Sequence, residues 1–173
     1  WKKFSSPKKY VEFAKDEGEL ILKFKEVVKE YKPDYLIGYF SDGFDFPYLR
    51  ARASKYRIKL DLGLDYSEVR HVNKRDVLSV KLSGIAHIDI YKFIRRVMID
   101  ILDVENYDLD SVAKALLGEG KLKDVKIEEV AEAWNKDNEK LREYVEYNLN
   151  DAKITLKLSN IMMPHLHEVV KLI

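Results

Sequence analysis

The chain has 173 residues, of which 46% are hydrophobic and 35% are charged, a composition typical of one globular domain. Its 31 basic residues nearly balance its 30 acidic residues, so net charge alone indicates no nucleic-acid partner, and any affinity for DNA must come from a local patch. The absence of cysteine excludes disulfides and thiolate metal sites, and the lack of any apolar run of about 18 residues predicts no membrane span. The expected location is the cytoplasm.

The first elements predicted along the chain are a helix and a short strand. Asp16 can cap a helix, with Glu19 reaching back to complete a capping box. Apolar residues then recur at helical spacing over 20–31. The run 35–40 is predicted to be a short buried strand, because it is apolar and is followed at once by a polar turn.

A turn and a second helix follow that strand. Asp42 is interpreted as a turn former, and Gly43 as the residue that lets the chain bend tightly. The helix should begin next to Asp45 and end near Tyr56, since Pro47 suits a first helical turn. This places an acid at the carboxyl end of a strand.

The rest of the chain is predicted to be rich in helices. Residues 57–75 are interpreted mostly as a loop, and 77–90 as two alternating strands in a hairpin around Ser83 and Gly84. Further helices are predicted over 91–98, from the Asp108 cap to Gly118, over 128–134, and over 137–172, where Pro164 should kink or interrupt the last one.

Asp45 is the first candidate site residue. Open α/β sheets tend to build their sites at the carboxyl ends of strands, and a carboxylate held there can bind a metal. Aspartate is also favoured as a helix N-cap, which is a purely structural role. The two interpretations are compatible, because a capping aspartate can direct its other oxygen towards a metal.

Tyr147 and Asp151 form the second candidate. They lie four residues apart in a strongly predicted helix, so both project from the same face. A phenol and a carboxylate placed one turn apart could bind a metal and orient its water. The alternative is a tyrosine that packs on the core next to a solvated aspartate.

Two other sets of residues carry weaker signals. His87 and Asp89 lie on one face of a predicted strand, but no other histidine has a matching spacing, so a structural pair is the favoured interpretation. Basic and aromatic residues also follow the Asp45 turn, and they are either part of a surface for single-stranded nucleic acid or a solvated helix face; they are Arg50, Arg52, Lys55 and Tyr56.

Two segments together resemble motifs of a known family. The sequence GYFSDGFDFPYL at 38–49 looks like the second exonuclease motif of archaeal family B DNA polymerases, and YNLNDAKIT at 147–155 looks like the third. The segments between them agree in order, and the resemblance covers nearly the whole chain; they are 86–91, 94–96, 107–109 and 131–134.

The resemblance implies an α/β fold of the ribonuclease H-like (DnaQ-like exonuclease) type and a 3′-to-5′ proofreading activity. Its cofactor would be Mg²⁺ or Mn²⁺ in a two-metal site, with Asp45 and Asp151 as ligands and Tyr147 orienting the attacking water. Its partner would be the single-stranded 3′ end of primer–template DNA, which Phe44 and Arg50 would help to seat. No membrane partner is implied.

Two departures from the family pattern qualify this expectation. The first motif, an aspartate and a glutamate spaced as DxE, is expected upstream of Trp1, so residues 1–173 are interpreted as an N-terminally truncated exonuclease domain that is inactive without the rest of the polymerase. Phe40 stands where the second motif usually carries asparagine. The alternatives are a non-catalytic domain that guides DNA or braces a polymerase, and a helical interaction module unrelated to nucleic acid.

Overall fold

A computed structural model describes residues 11–74, 77–120, 130 and 138–171, and these residues form five helices and four strands. The mixture confirms the predicted α/β class, whereas the helix predicted over 128–134 lies outside the described residues apart from Val130. In chain order the elements are α1 (Glu17–Tyr31), β1 (Tyr35–Gly38), α2 (Asp45–Lys55), β2 (Arg70–Lys74), β3 (Val77–Lys81), β4 (Ala86–Asp89), α3 (Ile90–Val97), α4 (Leu109–Leu117) and α5 (Asn138–Lys171).

The strands pair differently from the sequence-based prediction. β2 and β3 form the antiparallel hairpin, with Arg70 opposite Lys81 and Lys74 opposite Val77, so the expected loop over 57–75 contains a strand. The two strands predicted over 77–90 are present as β3 and β4, but their pairing as a hairpin was wrong. β4 lies beside β1 in a second sheet, and Leu82 and Ile85 form an isolated bridge across the expected turn. β2 carries two basic residues and an asparagine without a clean alternation, so its pairing with β3, and not its own pattern, makes it a strand.

The predicted caps explain where the helices begin and end. Asp16 Oδ1 accepts a hydrogen bond from the Glu19 backbone N at 2.8 Å, but the Glu19 carboxylate accepts from the Lys15 N at 2.6 Å, one residue before the position that a capping box requires. Asp108 caps α4 through the Ser111 N at 3.0 Å. Gly118 ends that helix with a φ of 67°, a conformation that glycine adopts at little cost.

The chain divides into two compact units, and the first is built around α1, α2 and the β2–β3 hairpin. The carboxylate of Asp61 pairs with Lys25 and Lys29, and Arg52 pairs with Glu17. This unit comprises Trp1–Leu36 and Phe40–Asp89. Its buried core consists of Ile21, Val28, Phe46, Ala53, Leu60, Leu62, Val80, Leu82 and Ile85.

The second unit comprises Ile37–Tyr39 and Ile90–Ile173, and its main element is the 34-residue helix α5. Ile154, Leu158 and Met162 are buried at four-residue intervals, so one stripe of α5 faces the core, and α3 and α4 pack against this helix. The helix continues through Pro164 to Lys171, so the predicted interruption of the helix at this proline was wrong. A single proline removes only one backbone hydrogen-bond donor from the helix. None of the helices in the described ranges combines the length and the apolar character that crossing a bilayer requires.

Candidate active site

Asp45 is the first residue of α2, where the positive end of the helix dipole favours a carboxylate. The N-cap is Phe44, and no side chain makes a capping bond, so the interpretation of Asp45 as an N-cap was wrong. Asp45 is exposed, and within the described part of the chain no other residue holds its carboxylate in a hydrogen bond or an ion pair. The carboxylate is therefore available to an external ligand.

The surroundings of Asp45 also change its acidity. Although the residue is exposed as a whole, partial burial of its carboxyl group raises the pKa of Asp45, and the negative charge of Asp89 acts in the same direction. The backbone N–H of Asp45 and the neighbouring His87 oppose that rise. A cation placed at this carboxylate would offset the unfavourable burial of the charged form.

The turn before Asp45 is bent at Phe40 and not at Gly43. Phe40 has a φ of 60°, in the left-handed region that only a few per cent of non-glycine residues adopt. Its carbonyl accepts hydrogen bonds from the backbone N atoms of Gly43 at 3.1 Å and Phe44 at 3.0 Å. A β-carbon on Gly43 would lie 2.4 Å from Cζ of the Phe40 ring, so the glycine is needed to make room for that ring. This corrects the role that the sequence indicated for Gly43.

Two buried carboxylates hold the turn in place. Asp89 Oδ1 accepts from the Phe40 backbone N at 2.9 Å, and Asp89 Oδ2 accepts from the Asp42 backbone N at 3.0 Å. Asp42 Oδ1 accepts in turn from the Val80 backbone N in β3 at 2.6 Å. Asp42 is therefore more than a turn former, because its side chain ties the turn to a neighbouring strand. No sequence pattern signalled these links between distant residues.

His87 completes this buried cluster. Its Nε2 lies 2.9 Å from Ser41 Oγ, its Nδ1 lies 3.4 Å from Asp42 Oδ1, and its ring packs edge-on against Phe46 at a centroid distance of 4.7 Å. The atoms follow the order of a Ser–His–Asp triad, but Ser41 is only 4% exposed, so a substrate cannot reach the hydroxyl. The structure thus agrees with the interpretation of His87 and Asp89 as structural residues.

Aromatic and basic side chains lie on the surface close to Asp45 in the sequence. Phe44 is 62% exposed and stacks on Tyr48, with ring centroids 6.0 Å apart and planes inclined by 14°. Arg50 is exposed and lines a groove of about 310 Å³ together with Arg57 and Lys59. Tyr48, Arg57 and Lys59 were not singled out from the sequence.

Tyr147 and Asp151 lie in α5, and both are partly buried. They are one helical turn apart, as predicted, and the Thr155 hydroxyl donates to the Asp151 backbone carbonyl at 2.9 Å. Both residues belong to the second unit and Asp45 to the first, so the joint action of the two acids stays a prediction. Within the described ranges, no group of three or more acidic or histidine side chains is arranged to hold a metal ion.

The fold and this site define an α/β protein in which a strand, a turn and a helix present an available carboxylate next to exposed aromatic and basic residues. That combination suits single-stranded nucleic acid, because bases stack on aromatic rings while cations attract phosphates. The sequence profile of the family described as DNA polymerase family B, exonuclease domain, matches residues 1–112. The chain belongs to this family.

Known proteins similar to the chain agree with that membership. A DNA polymerase of Pyrococcus horikoshii is 38% identical over the whole chain, which covers 13% of that protein. DNA polymerase 1 of Pyrococcus abyssi is 37% identical over the whole chain, which covers 21% of it. The solved family B DNA polymerase of Pyrobaculum calidifontis superposes with a TM-score of 0.73 at 27% identity, over 88% of this chain and 19% of that one. The chain thus spans about a fifth or less of the length of these relatives.

Proposed function

We propose that the chain is part of a family B DNA polymerase, has the ribonuclease H-like fold, and contributes to removing nucleotides from single-stranded 3′ ends of DNA. The observation that carries the proposal is the Asp45 carboxylate, which is exposed at the start of α2 and is engaged by no other described residue. It lies within the residues that match the exonuclease-domain profile.

The donor chemistry of the proposed site suits Mg²⁺ or Mn²⁺, because both are hard cations that prefer carboxylate oxygens. Asp45 and Asp151 would each contribute a carboxylate, and further ligands are required, since Mg²⁺ favours six oxygen donors. When bound, such ions lower the pKa of water and stabilise the charge on the scissile phosphate. The Tyr147 hydroxyl would orient the attacking water.

The surface around Asp45 supports a role in holding the DNA strand. The stacked pair of Phe44 and Tyr48 offers an exposed aromatic surface, and a base that stacks on such a surface gains about 1–3 kcal/mol. Arg50 supplies a positive charge for a phosphate, and the described residues offer it no ion-pair partner. Both features are independent of base sequence, as a proofreading activity requires.

The direct test uses the full-length protein and a single-stranded oligonucleotide labelled at its 5′ end. With Mg²⁺ or Mn²⁺, we expect a ladder of products shortened one nucleotide at a time from the 3′ end, and a chelator should abolish it. A 3′-terminal phosphorothioate should slow the first step. Endonucleolytic cuts, or no shortening with either metal, would contradict the proposal.

A non-catalytic domain that guides DNA or braces a polymerase is the second candidate. Phe40 favours it, because a large exposed ring stands at the position where the related motif usually carries asparagine. This candidate predicts salt-dependent binding of single-stranded DNA without shortening of the 3′ end.

Arg50 gives a separate test of the proposed DNA surface. We expect Arg50→Gln to weaken the binding of single-stranded DNA and to lower the slope of log K against log salt by about 0.7, since one phosphate contact is lost. Fluorescence anisotropy with a labelled single-stranded oligonucleotide, in buffer without divalent metal, measures the affinity and its salt dependence. Arg96→Gln is the matched control, because Arg96 is also exposed but lies on α3 in the other unit. Equal effects of the two substitutions would remove Arg50 from the DNA surface.

A further inference from the structure

We propose that Asp89 is a positioning residue that holds the Asp45 carboxylate in its metal-binding orientation by fixing the turn over residues 40–44. This inference deepens the proposed function and rests on it. It gives Asp89 the role of supporting a metal ligand, without binding the metal itself.

Asp89 accepts two hydrogen bonds from the turn. One carboxylate binds the Phe40 and Asp42 backbone N atoms at 2.9 and 3.0 Å, so it clamps the start of the turn from the end of β4. Asp89 is 6% exposed, and hydrogen bonds that backbone N–H groups donate to a carboxylate are about twice as strong as bonds between neutral groups. The turn therefore cannot move without leaving a buried charge unpaired.

Phe40, within this turn, adopts a left-handed conformation. Such a conformation is unfavourable for a non-glycine residue, so it persists only where the surroundings impose it. Phe40 is the residue whose N–H Asp89 binds and whose carbonyl accepts from Gly43 and Phe44. The Asp89 carboxylate thus stabilises a strained residue that sets the path of the chain into Asp45.

The side chains of Asp42 and His87 also support the turn. The Asp42 side chain reaches Val80 in β3, and the His87 side chain, which is 2% exposed, contacts Ser41 and packs on Phe46, the residue after Asp45. The turn is therefore fixed from two strands at once. Groups that orient metal ligands from behind in this way typically change metal affinity or activity by about 10–100-fold when replaced.

Asp89→Asn tests the inference, because the amide keeps the shape of the carboxylate. Its NH₂ group cannot accept a hydrogen bond, so one of the two backbone N–H groups of the turn loses its acceptor. In the full-length protein we expect Mn²⁺ binding, measured by electron paramagnetic resonance, to weaken by about 10–100-fold. Shortening of the 3′ end should fall by a similar factor at low metal concentration and recover in part at high concentration. Hydrogen exchange of peptides covering residues 40–44 should accelerate.

Asp61→Asn is the matched control. Like Asp89, Asp61 is an acid of the first unit whose carboxylate has two partners, in this case Lys25 and Lys29, but it lies outside the turn. Asp61→Asn should therefore lower the stability of the protein and leave its affinity for metal within about twofold of the wild-type value. If Asp89→Asn does not fold, Asp89→Glu retains the charge and shifts both oxygens by one methylene, with the same expected direction.

The outcomes separate the two claims. If the wild-type protein binds metal and shortens DNA but Asp89→Asn does so equally well, or if Asp61→Asn impairs metal binding as much, the positioning role is overturned and the proposed function stands. If the wild-type protein shows neither metal binding nor shortening, the proposed function fails and the positioning role fails with it.

Discussion

Replacing Asp45 with asparagine in the full-length protein is expected to slow metal-dependent shortening of a 3′ end by roughly 10²–10³-fold without unfolding the protein. The loss corresponds to about 3–4 kcal/mol of transition-state stabilisation, the order expected when a metal ligand is removed. Folding should be spared, because no other described residue holds the carboxylate and partial burial makes its charged form unfavourable. Single-turnover kinetics and thermal unfolding measure the two quantities.

Asp151→Asn should have an effect of the same size, and the double variant tests whether the two acids serve one reaction. Groups that act as a unit are strongly non-additive, so Asp45→Asn with Asp151→Asn should be little slower than either single variant. Asp100→Asn, at an exposed acid on the second unit, is the control and should retain full activity. Unchanged shortening in both single variants would support the bracing role instead.

Replacing Gly43 with alanine is expected to lower the free energy of unfolding by about 1–3 kcal/mol, because the new methyl group would overlap the Phe40 ring. The destabilisation caused by Gly43→Ala should depend on which residue occupies position 40. In a Phe40→Asn background the ring is gone and asparagine tolerates the left-handed conformation, so the same Gly43→Ala change should cost less than about 1 kcal/mol. Chemical denaturation of the four variants gives the coupling energy.

Gly118→Ala is the control for this pair. Gly118 has a φ of 67° and no atom within 4 Å of the added carbon, so its cost comes from backbone conformation alone and should be the same in both residue-40 backgrounds. A Gly43→Ala cost that does not change with residue 40 would show that the Phe40 ring is not the cause.

The helices were the part of the fold that local sequence could predict. Asp16 and Asp108 accept capping bonds as expected, and Gly118 ends α4, because a cap depends on residues within one turn. The pairing of the strands could not be predicted from local sequence. β2 lacks an alternating pattern, and the choice of β1 over β3 as the partner of β4 depends on residues far apart in the chain.

The candidate site, like the fold, could be predicted from the sequence only in part. The sequence by itself predicted the chemistry of the site, because the spacing of Tyr147 and Asp151 and the strand–turn–acid pattern at Asp45 are local and carry the resemblance to the exonuclease motifs. Only the tertiary structure decided how Asp45 is presented. The turn before it is fixed at the strained Phe40 by the Asp89 carboxylate, through hydrogen bonds between residues more than forty positions apart, which no local pattern can specify.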